Sequence, residues 1–453
     1  MTMSTIQFYF KHPGKPDYTY KTYKQNIINN LLNGILSKRL QELTQTNPPF
    51  LFAQAAETHL ISNMSSFYAL AVLKEDNIKG GIKALLGEIF RALQHGITPT
   101  ELEREKNESM RFMEKALKEK DKTESKNLAL ELGRYFNENE SAPGIEIEYE
   151  LYKKWMPEIT VEDLHAVLKN AIKKENLTIL FSGPEKEGFE VPNKKDLLDI
   201  YKEVEQTQYE PYVDKVADSP LFNKKLTQGK IIGKEEFKDL GITMLKLTNG
   251  VKVYLKPTDF KNDEILLRAF SPGGTSLIDD DEYMSAQFAA SIINESGIAN
   301  YNQTQLNKYL SDKIVNVAPY ISTLSEGLQG NSSPEDLETM FQLINLYFTE
   351  PRRDEEAYKS FLTKTKEAIK NSSLEPRSVF NDTISYVMAN YHKRAKPLSE
   401  DMLNNVDLNK ALEFYKDRFA DASDFTFIFV GNFKIDEMKP LIEKYIGCLL
   451  YTS

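Results

Sequence analysis

The chain has 453 residues, 41% of them hydrophobic and 27% charged, with a net charge of −10. At roughly 100–200 residues per domain, that length predicts two to four domains, and no run of about 18 apolar residues suggests a membrane-spanning helix. The acidic balance, with Lys and Arg scattered among Asp and Glu, offers no basic stripe for nucleic acid. The only cysteine, Cys448, excludes a disulfide framework and a thiolate metal cluster.

The opening residues, Met1 to Phe10, alternate as a strand does, with Ile6, Phe8 and Phe10 on one face. They do not read as a secretion signal, so any signal is expected upstream of Met1. A turn follows at His12-Pro13-Gly14. The helical spacing of Ile27, Ile28, Leu31, Leu32, Ile35, Leu36 and Leu40 predicts a helix. Two strand-like stretches come next, Phe50–Ala56 and Leu60–Leu73. Helices are predicted over Lys79–Gln94 and Thr100–Phe136, the second opened by a capping box of Thr98 with Glu101. Thr160 to Asp163 repeats that device. The strand Leu177 to Phe181 then closes a first domain, residues 1–185, at Gly183.

Residues 186–235 are rich in Lys, Glu, Asp, Gln and Pro, with little periodicity, and read as a long linker partly ordered by docking. A second domain, residues 236–447, begins with strands Ile242–Lys246 and Val251–Lys256 around Asn249-Gly250, a strong hairpin signal. Strand Glu264–Phe270 follows. Asp279 to Glu282 open a helix through Met284, Phe288, Ala289, Ile292 and Ile293. Further helices cover Thr304–Leu310, Glu335–Phe348 and Glu355–Lys370.

The second domain repeats the first. The segment from Ile97 to Leu180 and Gly183 is matched by one from Arg353 through Val406-Asp407-Leu408 to Phe429, Val430 and Gly431. A repeat of this size implies two related units. The fold class expected is α+β: two related domains, each an antiparallel-rich β-sheet packed against helices, joined by the linker. Residues 448–453 are expected to be foreign. They are what TGT CTC TTA TAC ACA TCT encodes, a transposon end used in sequencing libraries.

Complete catalytic chemistry is not found. The five histidines, His12, His59, His95, His165 and His392, lack H-x-x-x-H or H-x-x-E-H spacing, which would set two imidazoles on one helix face around zinc. His12 and His95 read as turn residues, and His165 and His392 as surface positions on charged helices. There is no nucleophile elbow and no P-loop; Gly273-Gly274 is a turn. Asp279–Glu282 lacks the alternating oxygens of a calcium loop and reads as a helix cap.

The order of features in the second domain resembles one domain of the pitrilysin–insulinase zinc proteases. It runs strand, Asn249-Gly250, strand, Gly273 to Leu277, acidic-capped helix, Val406-Asp407-Leu408 helix and Phe429 to Asn432. Residues 1–185 look like the partner domain, with Lys38 to Leu43 echoing that family's R-L-x-E helix. The resemblance implies four similar domains in two halves that close around an unfolded peptide. The first carries H-x-x-E-H and a downstream glutamate for zinc, and the fourth an arginine and a tyrosine. This chain looks like the second and third. Gln287 and Ser291 stand where zinc-binding histidines would be, and Ala290 where the general base would be. Gln45 and Phe52 stand at the arginine and tyrosine positions.

No catalytic, cofactor-binding or metal-binding residue is therefore assigned to this chain, and zinc is expected only in the full-length protein. The resemblance implies the inert central portion of a bacterial zinc endopeptidase, forming the wall and hinge of its chamber. Its partners would be peptides or unfolded proteins and the remaining domains, and its place the periplasm or envelope. Leu60–Leu73 is the expected edge at which an extended substrate could add a strand. The alternative is a scaffold or processing partner of the same fold that is inactive even at full length. H-x-x-E-H or degenerate ligands upstream would discriminate.

Overall fold

The computed structural model describes residues 3–14, 19–61, 63–138, 140–185, 191–217 and 219–450. The chain divides into two compact units. One comprises Met1–Leu117, Thr123–Lys215 and Thr363–Pro397; the other comprises Lys118–Lys122, Val216–Leu362 and Leu398–Ser453. The fold is mixed α+β, with antiparallel-rich sheets packed against helices.

The first unit opens with β1 (Ser4–Pro13), α1 (Tyr20–Glu42), β2 (Phe50–Ile61) and β3 (Met64–Leu73). It continues with α2 (Ile78–His95), α3 (Pro99–Lys118), α4 (Ser125–Glu138), α5 (Ile145–Trp155), α6 (Val161–Ala171), β4 (Leu177–Ser182) and α7 (Lys194–Gln206). Its antiparallel sheet has the order β2-β3-β1-β4. Alternation buries Ile6, Phe8 and Phe10 of β1 on one face. In the β1–β3 register Phe8 meets Ala69 and Ile6 meets Ala71, so large side chains lie beside small ones. The apolar stripes of α1 and α2 close over this face.

The stretch read as a linker contributes α7, whose Leu197, Ile200, Tyr201 and Val204 lie in the same core. Asn193 caps this helix reciprocally with Asp196. Residues 186–190 of that stretch, and Tyr451 to Ser453 of the tail read as foreign, lie outside the described residues.

The helix expected from Thr100 to Phe136 is two helices. α3 ends at Lys118 and α4 starts at Ser125, with a 3₁₀ turn at Lys120–Lys122 between them. No Gly or Pro marks the break, so local propensity gave no warning. Among its described residues α4 buries none, and it exposes Leu128, Leu130, Leu132, Tyr135 and Phe136.

The second part of the chain runs β5 (Ile231–Phe237), β6 (Ile242–Leu247), β7 (Lys252–Pro257), β8 (Ile265–Pro272), α8 (Tyr283–Ser296) and α9 (Gln303–Leu310). Then come β9 (Val315–Ile321), β10 (Ser325–Ser332), α10 (Leu337–Thr349), α11 (Glu355–Ser372), α12 (Pro376–Met388), α13 (Leu408–Arg418), β11 (Thr426–Gly431) and α14 (Ile435–Leu441). The seven strands among the described residues of the second unit form one sheet in the order β5-β6-β7-β11-β8-β10-β9, in which β7 and β11 are the parallel pair. β11 is therefore central, and its Phe427 and Phe429 are fully buried.

The expected hairpin is present. Gly250 takes a φ of +86°, which suits glycine, and the buried Asn249 amide donates to the carbonyls of Ile446 and Leu449 at 3.0 and 3.2 Å. α8 packs on α13 and β9, and α10 on β9 and β10.

Candidate functional site

The residues at the zinc-ligand positions lie on α8. Gln287 and Ser291 are one turn apart and share a helix face; Gln287 is half-buried, Ser291 exposed and Ala290 buried. The Gln287 Oε1 is buried and accepts no hydrogen bond. Ser285 accepts from the Asp407 amide at 2.9 Å, tying α8 to the start of α13, and Phe288 packs edge-on against Phe361. A carboxamide and a hydroxyl are poor zinc donors beside imidazole or thiolate, so this face does not fit the metal. Among the described residues, no group of three or more His, Cys, Asp or Glu converges as a metal site requires. Gln45 lies half-buried in the turn after α1, and Phe52 is 52% exposed on β2 beside a register shift.

The histidines are dispersed. His12 is part of strand β1 rather than a turn residue, and its Nε2 lies 2.7 Å from the Glu57 carboxylate. Burial raises the Glu57 pKa against the opposing pull of His12. His59 Nδ1 is 3.5 Å from Ser65 Oγ. The Nε2 atoms of His95 and His165 donate to the carbonyls of Tyr209 and Leu93 at 2.5 and 2.8 Å. His392 lies beyond the end of α12 and caps a 3₁₀ turn, accepting from the Arg394 amide.

The densest cluster of perturbed ionisable groups surrounds Arg39 of α1, which is 2% exposed. Its Nε and Nη2 donate to the two Glu101 oxygens at 2.6 and 2.7 Å. Its Nη1 reaches Glu88 at 3.4 Å, and the Tyr212 ring lies over the guanidinium at 4.1 Å. Burial is the largest influence and works against the cation, but the hydrogen bonds and charge of Glu101, together with Glu88 and Tyr212, outweigh it and raise the Arg39 pKa. Burial also lifts Glu88 against Arg91 and Arg39, and Glu105 against Lys38. The Tyr212 phenol, raised far above its ordinary range by burial and then by Glu42, donates to Glu42 at 2.8 Å. Arg104 grips Asp214 with two bonds of 2.7 and 2.8 Å.

Perturbed groups in a cleft often mark a catalytic site. Here the guanidinium donors are engaged inside the fold, so the cluster is a clamp that fastens Tyr212 and Asp214 to the first unit. Sequence reading found the Thr98–Glu101 box, whose bonds of 2.9 and 3.3 Å are formed. It missed that Glu101 also holds Arg39. A buried arginine in an apolar helix stripe was the available signal.

The substrate edge expected at Leu60–Leu73 needs correction. β3 is flanked by β2 and β1, and its backbone is paired on both sides. The sheet's edges are β2 and β4.

No protein-family model matches the chain. It is 24% identical over 447 residues to a zinc protease PQQL-like protein of Arabidopsis thaliana, covering 98% of this chain and 41% of the relative. It is 25% identical over 462 residues to a probable zinc protease PqqL of Haemophilus influenzae, covering 99% and 48%. The chain thus spans less than half the length of these relatives. Among solved structures it resembles a mutant of the ferredoxin protease FusC in complex with Arabidopsis ferredoxin, with a TM-score of 0.61. That match has 14% identity and covers all of this chain and 50% of the other. At that identity the likeness speaks to fold alone.

Proposed function

We propose that this chain, a homologue of PqqL-type zinc proteases of the insulinase–pitrilysin family, is the non-catalytic central portion of a bacterial zinc endopeptidase. Its substrates would be peptides or small unfolded proteins. Residues 1–185 and 236–447 are assigned to two related inactive domains that form the chamber wall; of the 186–235 stretch, α7 joins the core of the first domain, and the part beyond Lys215 is left as the hinge segment. The observation that carries this reading is the helix face of α8, where Gln287, Ala290 and Ser291 replace the groups that would hold zinc and activate water. The match to less than half of each curated relative supports it. The zinc site is assigned to the absent part of the protein, and the full-length protein to the bacterial periplasm or envelope.

The test compares this chain with the full-length gene product by metal analysis and hydrolysis of a quenched unfolded-protein substrate. The chain alone is expected to bind substoichiometric zinc and cleave nothing, and the full-length protein to show chelator-sensitive cleavage. Stoichiometric zinc with chelator-sensitive peptidase activity in this chain alone overturns the proposal. Inactivity of a full-length protein with degenerate upstream ligands transfers the assignment to a scaffold or processing partner.

A further inference from the structure

An unpaired strand edge is a template for another strand, and proteins blunt such edges with charges, prolines or bulges. Three of the four sheet edges among the described residues are blunted in this way. β2 carries Glu57 and register shifts near both ends. β5 carries Lys234, Glu235 and Glu236 and a register shift. β9 contains Pro319. The fourth edge, β4, reads Leu-Thr-Ile-Leu-Phe-Ser, with no charge, no proline and an unbroken register against β1.

Beside it, between β4 and α7, lies a cavity of about 620 Å³ floored by Leu177, Ile179, Phe181 and Leu197. Leu177, Ile179 and Phe181 stay half-buried where their β1 partners Phe10, Phe8 and Ile6 are fully buried. The rim holds Lys174, Lys194 and Lys202 with Glu205. Glu205 pairs with Lys174 at 2.7 Å, which leaves two lysines with no carboxylate partner among the described residues.

We infer that β4 and the adjoining groove form a docking strand for an extended acidic peptide. The peptide adds a strand to the sheet, seats alternate apolar side chains in the groove and sets carboxylates against Lys194 and Lys202. The occupant is not a second copy of the chain, because pairing β4 with itself would bring two lysine rims together. The inference concerns binding only and stands apart from the proteolytic reading.

It is tested on the full chain with a fluorescent peptide alternating valine and glutamate, and with its valine–lysine counterpart. The acidic peptide is expected to bind and the basic one not. Peptide binding should slow amide exchange in residues 177–182. The exposed double substitution Lys194→Glu with Lys202→Glu should weaken binding about tenfold, as loss of two complementary charges does. Leu180→Lys, which charges the strand itself, should also weaken it. Equal binding of both peptides, binding of neither, an unaffected charge reversal, or exchange protection elsewhere overturns the inference. So does a peptide-free dimer that Leu180→Lys dissociates.

Discussion

β4 and β11 end the two copies of the repeated segment, yet they occupy opposite situations. Each follows a capped helix and a 3₁₀ turn, Lys174–Asn176 before β4 and Ala422–Asp424 before β11. β11 has β7 on one side and β8 on the other, and Phe429 stacks on Phe341 at 5.3 Å. β4 has β1 on one side only, and its apolar residues are half-covered. Similar local sequence therefore fixes strand formation, while the number of neighbouring strands fixes what the strand contributes.

The sharpest way to break this comparison is truncation of one core residue in each strand. Phe429→Ala should cost about 3–5 kcal/mol, the usual price of deleting a fully buried aromatic ring. Ile179→Ala, beside the open groove, should cost about 1 kcal/mol. Denaturant unfolding followed by strand-resolved hydrogen exchange measures both; equal costs would remove the distinction.

The caps preceding the strands should behave alike. Thr160 and Asp163 form a reciprocal box with bonds of 2.9 and 3.3 Å, and Asp407 accepts from Asn409 and Lys410, each at 2.9 Å. Alanine at Thr160 or at Asp407 should each cost about 1 kcal/mol, read as matching falls in unfolding midpoint. A clear inequality would show that the two helices depend differently on tertiary packing.

The smallest effect is on pH dependence. Burial raises Glu88 and Glu105 above the ordinary value of 4.5, so the folded chain holds their protons more tightly than the unfolded chain does. Their contribution is fully present below pH 4.5 and is lost as pH rises through the folded pKa. Replacing both with glutamine should flatten the stability profile of the first unit across that window. Denaturation midpoints measured from pH 4 to 7 check it, and an unchanged slope would assign the dependence to other groups.

Much of the framework was legible where local and tertiary preferences agree. The alternation of β1, the stripe of α1, the Asn249-Gly250 hairpin and the caps at Thr98 and Thr160 all appear as read. α7 was hidden because Leu197, Ile200, Tyr201 and Val204 are interleaved with Lys, Asp and Glu, although Asn193 and Asp196 announced its start. β5 was obscured by its charges, and β9 and β10 by Pro319, Gly327 and Gly330. The edge position of β4 could not be read, since strand order is set by long-range pairing rather than by local pattern. At the candidate site, the substituted positions on α8 were legible as residue types. The Arg39 clamp was not, because its partners come from three separate segments.

The docking of α7 sets a practical limit on how the first unit can be shortened. A polypeptide ended at residue 185 would strip Leu197, Ile200, Tyr201 and Val204 from a core that also contains Phe8, Phe10 and Phe90, whose rings each lie within 6.4 Å of Tyr201. Such a product would leave a greasy trench open to water and would be prone to clump during expression. One carried on to Lys215 keeps the helix, and with it Tyr212 over the Arg39 guanidinium and Asp214 in the grip of Arg104.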